Sequence, residues 1–372
     1  MRTRNIAARV ICATVLMGIS LAHAAAPGAA ASVAMTDSKP AGLAATNRVA
    51  ITSVMVSFQA STGGDATNTS GMFAAKTDAS STLVMPDMDP KLLGEIAADI
   101  YKQLQVDLQA NGFEVVPEST VLASAGFPKI ISNAGIANYS KFGNIDGDVM
   151  LVSPGSLHPY LPYSVETGKF ATPSKNLIKG WIGGMGGKSS TEGGPSSTSV
   201  AKTWDLPGLE VALAKELNAN LVKATYVVTV GSTKAAVDRF SSTSHNTYTG
   251  SAFVQVGLRP DQTRIAFRTP AANPKGESAP GGYKANFGTN SPPAKDGDVV
   301  VSLTAPLLGG TDFFALEGGE KKGGMAKMLG VRPGADAQFV YTASISDAAA
   351  YREEVVGMAK VAQRDMLGLV RQ

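Results

Sequence analysis

The chain is short of the residues that most often carry chemistry. It has one cysteine in 372 residues, three histidines and two tryptophans, aromatic residues make up 6 % and charged residues 17 %. A single cysteine, Cys12, excludes an internal disulfide framework and a multi-thiolate metal site. Few imidazoles leave little material for an acid–base pair built on histidine, and the sparse tryptophans give a poor basis for a sugar groove lined by stacking rings. No stretch approaches the ~20 apolar residues needed to span a bilayer. The longest apolar run lies at the start of the chain.

That start has the three parts of a secretory signal peptide. Arg2, Arg4 and Arg9 form a basic region, Val10 to Leu21 an apolar core, and Ala22-His23-Ala24 a small-residue cleavage site. Cleavage is expected after Ala24, giving a periplasmic or secreted product with no transmembrane segment. Cys12 sits inside the apolar core and not after a small-residue lipobox, so no lipid anchor is expected. Of the 33 basic residues three lie in this segment, and none of the 30 acidic ones does, so the remainder carries 30 of each. The apparent basicity belongs to the leader, and the broad positive field that drives nonspecific nucleic-acid binding is missing.

Residues 25–46, rich in Ala, Gly, Ser, Thr and Pro, read as a flexible lead-in, with order starting at Arg48. The expected remainder, 47–372, is a single α/β domain with long insertions at 120–204 and 270–296. Val49 to Phe58 is apolar or β-branched at nearly every position, which predicts a strand covered on both faces. Residues 60–84 read as a long loop or irregular hairpin. Asp89 and Pro90 then open a helix whose Leu92, Leu93, Ile96, Ile100, Leu104 and Leu108 share one face, and Asn111-Gly112 ends it.

Further on, a helix over 206–218 leads into a strand over 221–230. Ser251–Leu258 and Thr263–Arg268, separated by Arg259-Pro260-Asp261-Gln262, predict an antiparallel hairpin. Strands follow at 298–303 and 338–344. A helix from Asp347 closes the chain, its stripe formed by Tyr351, Val355, Met358, Ala362, Met366 and Leu369. The fold class is therefore α/β or α+β: a mixed sheet of about five to seven strands, with helices mainly on one face.

Chemical motifs fail on inspection. Ser199-Val-Ala-Lys202 has the S-x-x-K spacing of penicillin-recognising enzymes but no companion motif. Gly183–Ser189 resembles a phosphate loop, yet Ile182 stands where glycine is required. Asn144-Ile-Asp-Gly-Asp148 opens like a calcium loop and then lacks its turn glycine and bidentate glutamate. Asp296 with Asp298, and Glu317 with Glu320, read as solvated turn residues. His158 and His245 are far apart in sequence. No catalytic, cofactor-binding or metal residue is assigned, and no cofactor is expected.

The strand Arg48–Phe58, the helix Leu92–Leu108, Gly112-Phe-Glu-Val-Val116, and Ala214–Val222 leading into Thr225–Gly231 resemble periplasmic CsgG-like and TolB amino-terminal-like domains. The resemblance covers about half of the chain beyond the leader as an order of elements. It implies an α/β envelope domain that works by protein contacts in secretion or outer-membrane assembly, with envelope proteins or copies of itself as partners, and no enzyme activity. Pro117-Glu118 replaces the family's arginine after the second strand, the lipobox is missing, and no site residue is carried over. A secreted hydrolase or small-ligand binder, its site formed where 120–204 and 270–296 converge, is the rival expectation.

Overall fold

A computed structural model describes residues 31–36, 43, 46–68, 77–135, 138–144, 147–155, 157–160, 206–239, 246–260, 262–270, 298–320 and 337–371. The expected leader, Met1 to Ala24, lies outside them. The fold is mixed α/β, as the sequence predicts. Its strands exceed the expected five to seven: they form one ten-stranded and one four-stranded sheet.

Strand β1 (Val33–Thr36) lies at one edge of the larger sheet. That segment reads in sequence as flexible lead-in, but it pairs antiparallel with β11, which fixes four of its residues. Strand β2 (Arg48–Gln59) is central and almost wholly buried, because its unbroken apolar run is covered on both faces. The stretch after it forms the hairpin of β3 (Ser61–Asn68) and β4 (Thr77–Val84).

Helix α1 (Pro90–Ala110) starts where expected: the Asp89 carboxylate accepts from the Lys91 N–H and Pro90 occupies the first turn. It ends where Gly112 takes φ 78°, a left-handed conformation glycine adopts at no steric cost. Strand β5 (Glu114–Val115) then pairs parallel with the start of β2.

The described residues of 120–152, part of the expected long insertion, form two helices and two strands: α2 (Glu118–Ala123), α3 (Phe127–Ala134), β6 (Ser140–Asn144) and β7 (Gly147–Val152). The helices span only one or two turns, too little for their periodicity to stand out from Gly, Ser and Pro. Helix α4 (Leu206–Leu217) leads into β8 (Asn220–Arg239). At 20 residues β8 is twice its predicted length.

This length overturns the expected hairpin. Strand β9 (Asn246–Leu258) and β10 (Arg264–Arg268) do not pair with each other; both run antiparallel to β8, β9 along its outer half and β10 along its first half. The chain passes between them without reversing. Arg259 N–H donates to the Val227 carbonyl and Thr263 N–H to the Arg259 carbonyl, so the Pro260 turn is a local outward step beside one continuous neighbour.

Strand β11 (Asp298–Leu303) pairs with β10 and β1, and β12 (Leu307–Leu308) with β9. The larger sheet reads β1-β11-β10-β8-β2-β7-β6. Strand β13 (Phe314–Glu320) pairs antiparallel with β14 (Ala337–Ile345), which lies parallel to β4, giving the smaller sheet β13-β14-β4-β3. Helix α5 (Ala348–Val370) closes the fold, capped by Asp347, with the predicted stripe buried except for the half-buried Leu369.

The two long helices run side by side, tied by the ion pairs of Arg352 with Glu95 and Asp99. Both cover the face of β8 that carries Tyr226, whose hydroxyl accepts from Gln363 Nε2; the same nitrogen donates to the Ile100 carbonyl. Helix α4, expected beside them, sits on the opposite face. It meets Lys223, an odd number of residues from Tyr226 and so across the sheet. Among the described residues, no helix is long and apolar enough to cross a membrane.

Candidate functional site

The outer halves of β8 and β9 extend beyond the helices and are covered by the smaller sheet, forming a two-layer arm of three hairpins. Small residues set the approach. A Cβ on Gly64 would lie 2.9 Å from the Thr233 carbonyl oxygen, and one on Gly250 2.1 Å from Phe339 Cγ. Hydrogen bonds cross the layers: Ser81 Oγ donates to the Ser251 carbonyl, Thr233 Oγ1 to the Ser81 carbonyl and Tyr341 Oη to the Gly250 carbonyl. At the arm's root β8 carries a bulge between Thr229 and Gly231. Gly231 adopts φ 145°, and the Val230 N–H donates to Gln59 Oε1, which satisfies the amide at the break in the ladder. The arm's outward side exposes Ser232, Lys234, Thr249 and Ser251, with the ring of Phe253 half exposed among them.

The second feature is a buried ionic cluster. Glu210 of α4, 1 % exposed, places Oε1 2.8 Å from Lys223 Nζ of β8 and Oε2 2.7 Å from Arg268 Nε of β10. Tyr160 Oη donates to Glu210 Oε1 at 3.3 Å and stands 3.1 Å from Thr52 Oγ1, the extra residue of a bulge in β2. The bulge turns this hydroxyl towards the cluster and off the regular pleat. Thr52, Tyr160, Glu210, Lys223 and Arg268 are all buried. One carboxylate shared by two cations is chemically a lock: the desolvation of three charges is offset only while all three stay together.

Its position gives it further meaning. Tyr160 is the last described residue before 161–205 and Glu210 lies in the first turns after it, while Arg268 and its partner Asp298 in the β10–β11 ladder flank 271–297. The fold therefore brings the described ends of both long segments to one place. On the far side of α4, Glu216 accepts from the N–H groups of Ala125 and Gly126 and so holds the start of α3, beside an open groove lined by Ser119, Thr120, Ala123 and Ser124.

The sequence candidates scatter. His158 is exposed, two residues from Tyr160, and His245 lies outside the described residues. So do Ser199, Lys202, the 183–189 loop, Trp181, Trp204 and Asp296. Asn144 and Asp148 fall on the two strands of the β6–β7 hairpin, and Glu317 is exposed on β13. Among the described residues no group of three His, Cys, Asp or Glu side chains could hold a metal ion. The buried cluster was not among these candidates. Its signal is a lone charge inside an apolar run, Glu210 in Leu209–Leu213 and Lys223 in Leu221–Val230.

Fold and site together define a mixed α/β protein with a double-layered β arm and a buried ionic cluster. No family model, no curated protein and no solved structure matches the chain.

Proposed function

We propose that the chain is a noncatalytic subunit, adaptor or accessory of a bacterial envelope, secretion or outer-membrane assembly complex, delivered to the periplasm or beyond by its leader. The observation that carries this reading is the arm. Its three hairpins are packed on each other through backbone-close contacts and tied by side-chain-to-backbone hydrogen bonds, which is the form of a rigid contact element and not of a cleft. The CsgG-like and TolB-like order of elements points the same way. The ionic cluster supports it too, since the charges of Glu210, Lys223 and Arg268 are spent on one another in a buried place. Crosslinking in intact cells, read by the mass of the captured species, tests the proposal: defined complexes support it, and a strict monomer without partners opposes it.

A second reading has one observation in its favour. The convergence of both long segments on the Thr52–Tyr160–Glu210 chain of polar groups is where a hydrolase or small-ligand site would be built. A screen on glycans, peptides and esters, repeated with Tyr160→Phe, Glu210→Gln, His158→Ala and His245→Ala, separates it from the first. Turnover lost in these variants selects the second reading.

A further inference from the structure

Strand β1 is held in the sheet differently from its neighbours. It is a four-residue strand, paired on one side only among the described residues, and its Val33 and Met35 are half-buried where Leu303 and Val301 opposite them are fully buried. Beside its ladder with β11 and the packing of Ala31, Val33 and Met35 on the core, its fasteners are polar and lie at its N-terminal end: Ser32 Oγ lies 2.6 Å from Thr304 Oγ1, Thr304 N–H donates to the Ser32 carbonyl, and Ala31 N–H donates to Asp365 Oδ2 of α5. Strand β11 supplies the ladder, Val301 and Leu303 the apolar floor, and Asp365 a fixed acceptor at the end.

Three strands, β11, β10 and β8, separate β1 from β2, a lateral distance of about 19 Å at ~4.8 Å per step. The chain between them, 37–47, has an extended reach of about 40 Å and touches the core at Leu43. β1 can therefore leave its groove without moving β2.

We infer that the edge of β11, flanked by α5, is a strand-acceptor site for an extended segment of a partner protein with aliphatic side chains two residues apart behind a small hydroxyl residue, and that β1 occupies it as a displaceable strap. The recognition is β-strand addition: main-chain hydrogen bonds give the affinity and two alternate pockets the specificity. β1 itself, Ser32-Val33-Ala34-Met35, is the template of the segment the groove accepts. A tethered strap at an effective concentration on the order of a millimolar lowers the apparent affinity of a ~10 μM segment about a hundredfold. This assignment rests on the reading of the chain as a contact protein and names one of its contact sites and the regulation of that site.

The probe is a labelled peptide of residues 29–38. In the chain without residues 1–24, Val33→Asp/Met35→Asp weakens the strap, and Ser32→Cys/Thr304→Cys, the only thiols then present, clamps it. The peptide is expected to bind the first variant at least tenfold more tightly than the wild type, and the oxidised clamp not at all. A peptide carrying the same two aspartates is expected not to bind.

Equal binding to the oxidised clamp and the strap variant overturns the inference, because the peptide then sits elsewhere. So does no binding to a strap variant whose circular dichroism and melting match the wild type. Val33→Ser/Met35→Ser serves in its place if the aspartates prevent folding, with the same ordering required. Envelope partners do not enter this test. A positive result with no partner found by crosslinking removes the proposed function and leaves the acceptor site standing.

Discussion

Glu210 and Arg268 face each other at 2.7 Å with side chains 1 % and 2 % exposed, although 58 positions separate them in the chain. Lys223 closes on the same carboxylate from the neighbouring strand. Such a cluster fixes how α4 meets the sheet, and its removal is costly in one direction only.

Glu210→Ala takes away the carboxylate that two buried cations share. It is expected to destabilise the fold by about 3–5 kcal/mol, whereas the triple change Glu210→Leu/Lys223→Met/Arg268→Met is expected to recover most of that loss. Urea unfolding of both variants measures it. A single variant as stable as wild type would show the cluster to be idle.

Gly250→Ala forces a methyl into the ring of Phe339, since the added Cβ would lie 2.1 Å from Phe339 Cγ. The expected cost is about 1–3 kcal/mol. In a double-mutant cycle Phe339→Ala is expected to absorb most of it, leaving a coupling of at least ~0.5 kcal/mol. Additive effects would mean that the two layers of the arm do not pack as described.

How far the sequence reveals this fold depends on how local the cause is. Asp89, Pro90 and the leucine spacing give α1, and Asp347 with its stripe gives α5, because caps and period lie within the element. The outer half of β8, Gly231 to Arg239, contains Lys234, Asp238 and small residues with no strand signature; its neighbours are β9 and, across the layer, Gly64. That hidden length is why the Pro260 turn reads as a hairpin. The ionic cluster was half legible: single charges in apolar runs mark Glu210 and Lys223, but no local pattern says that Arg268 is the third member.

Asp107 on α1 makes the stability depend on pH. Burial raises its carboxyl above the ordinary value of 3.8, against the hydrogen bond from Gln103 and the charges of Lys360 and Arg364, which act to lower it. The ionised form is thus disfavoured in the folded state. Its stabilising contribution is fully present below the ordinary carboxyl value and is lost as pH rises through the raised folded value. Asp107→Asn is expected to melt higher than wild type at neutral pH, with the difference vanishing in acid. Thermal melts from pH 3 to pH 7 check this, and a constant difference across that range would exclude it.

Gln363 is completely buried and joins α5 to both α1 and β8 through the Ile100 carbonyl and the Tyr226 hydroxyl. Gln363→Leu takes the donor from the buried Tyr226 hydroxyl and the second donor from the Ile100 carbonyl, a loss of about 1–3 kcal/mol. Tyr226→Phe in the same background is expected to recover part of it, because the stranded hydroxyl is removed. Denaturant unfolding of the single and double variants decides.

The proposed role in an envelope complex is tested most directly by crosslinking the processed chain in intact cells and weighing what it is bound to. The account predicts a chain shortened by residues 1–24, recovered from the envelope fraction in a defined complex with other envelope proteins or with itself. A strictly monomeric chain with no crosslinked partner, whose substrate turnover disappears in Glu210→Gln, would contradict it.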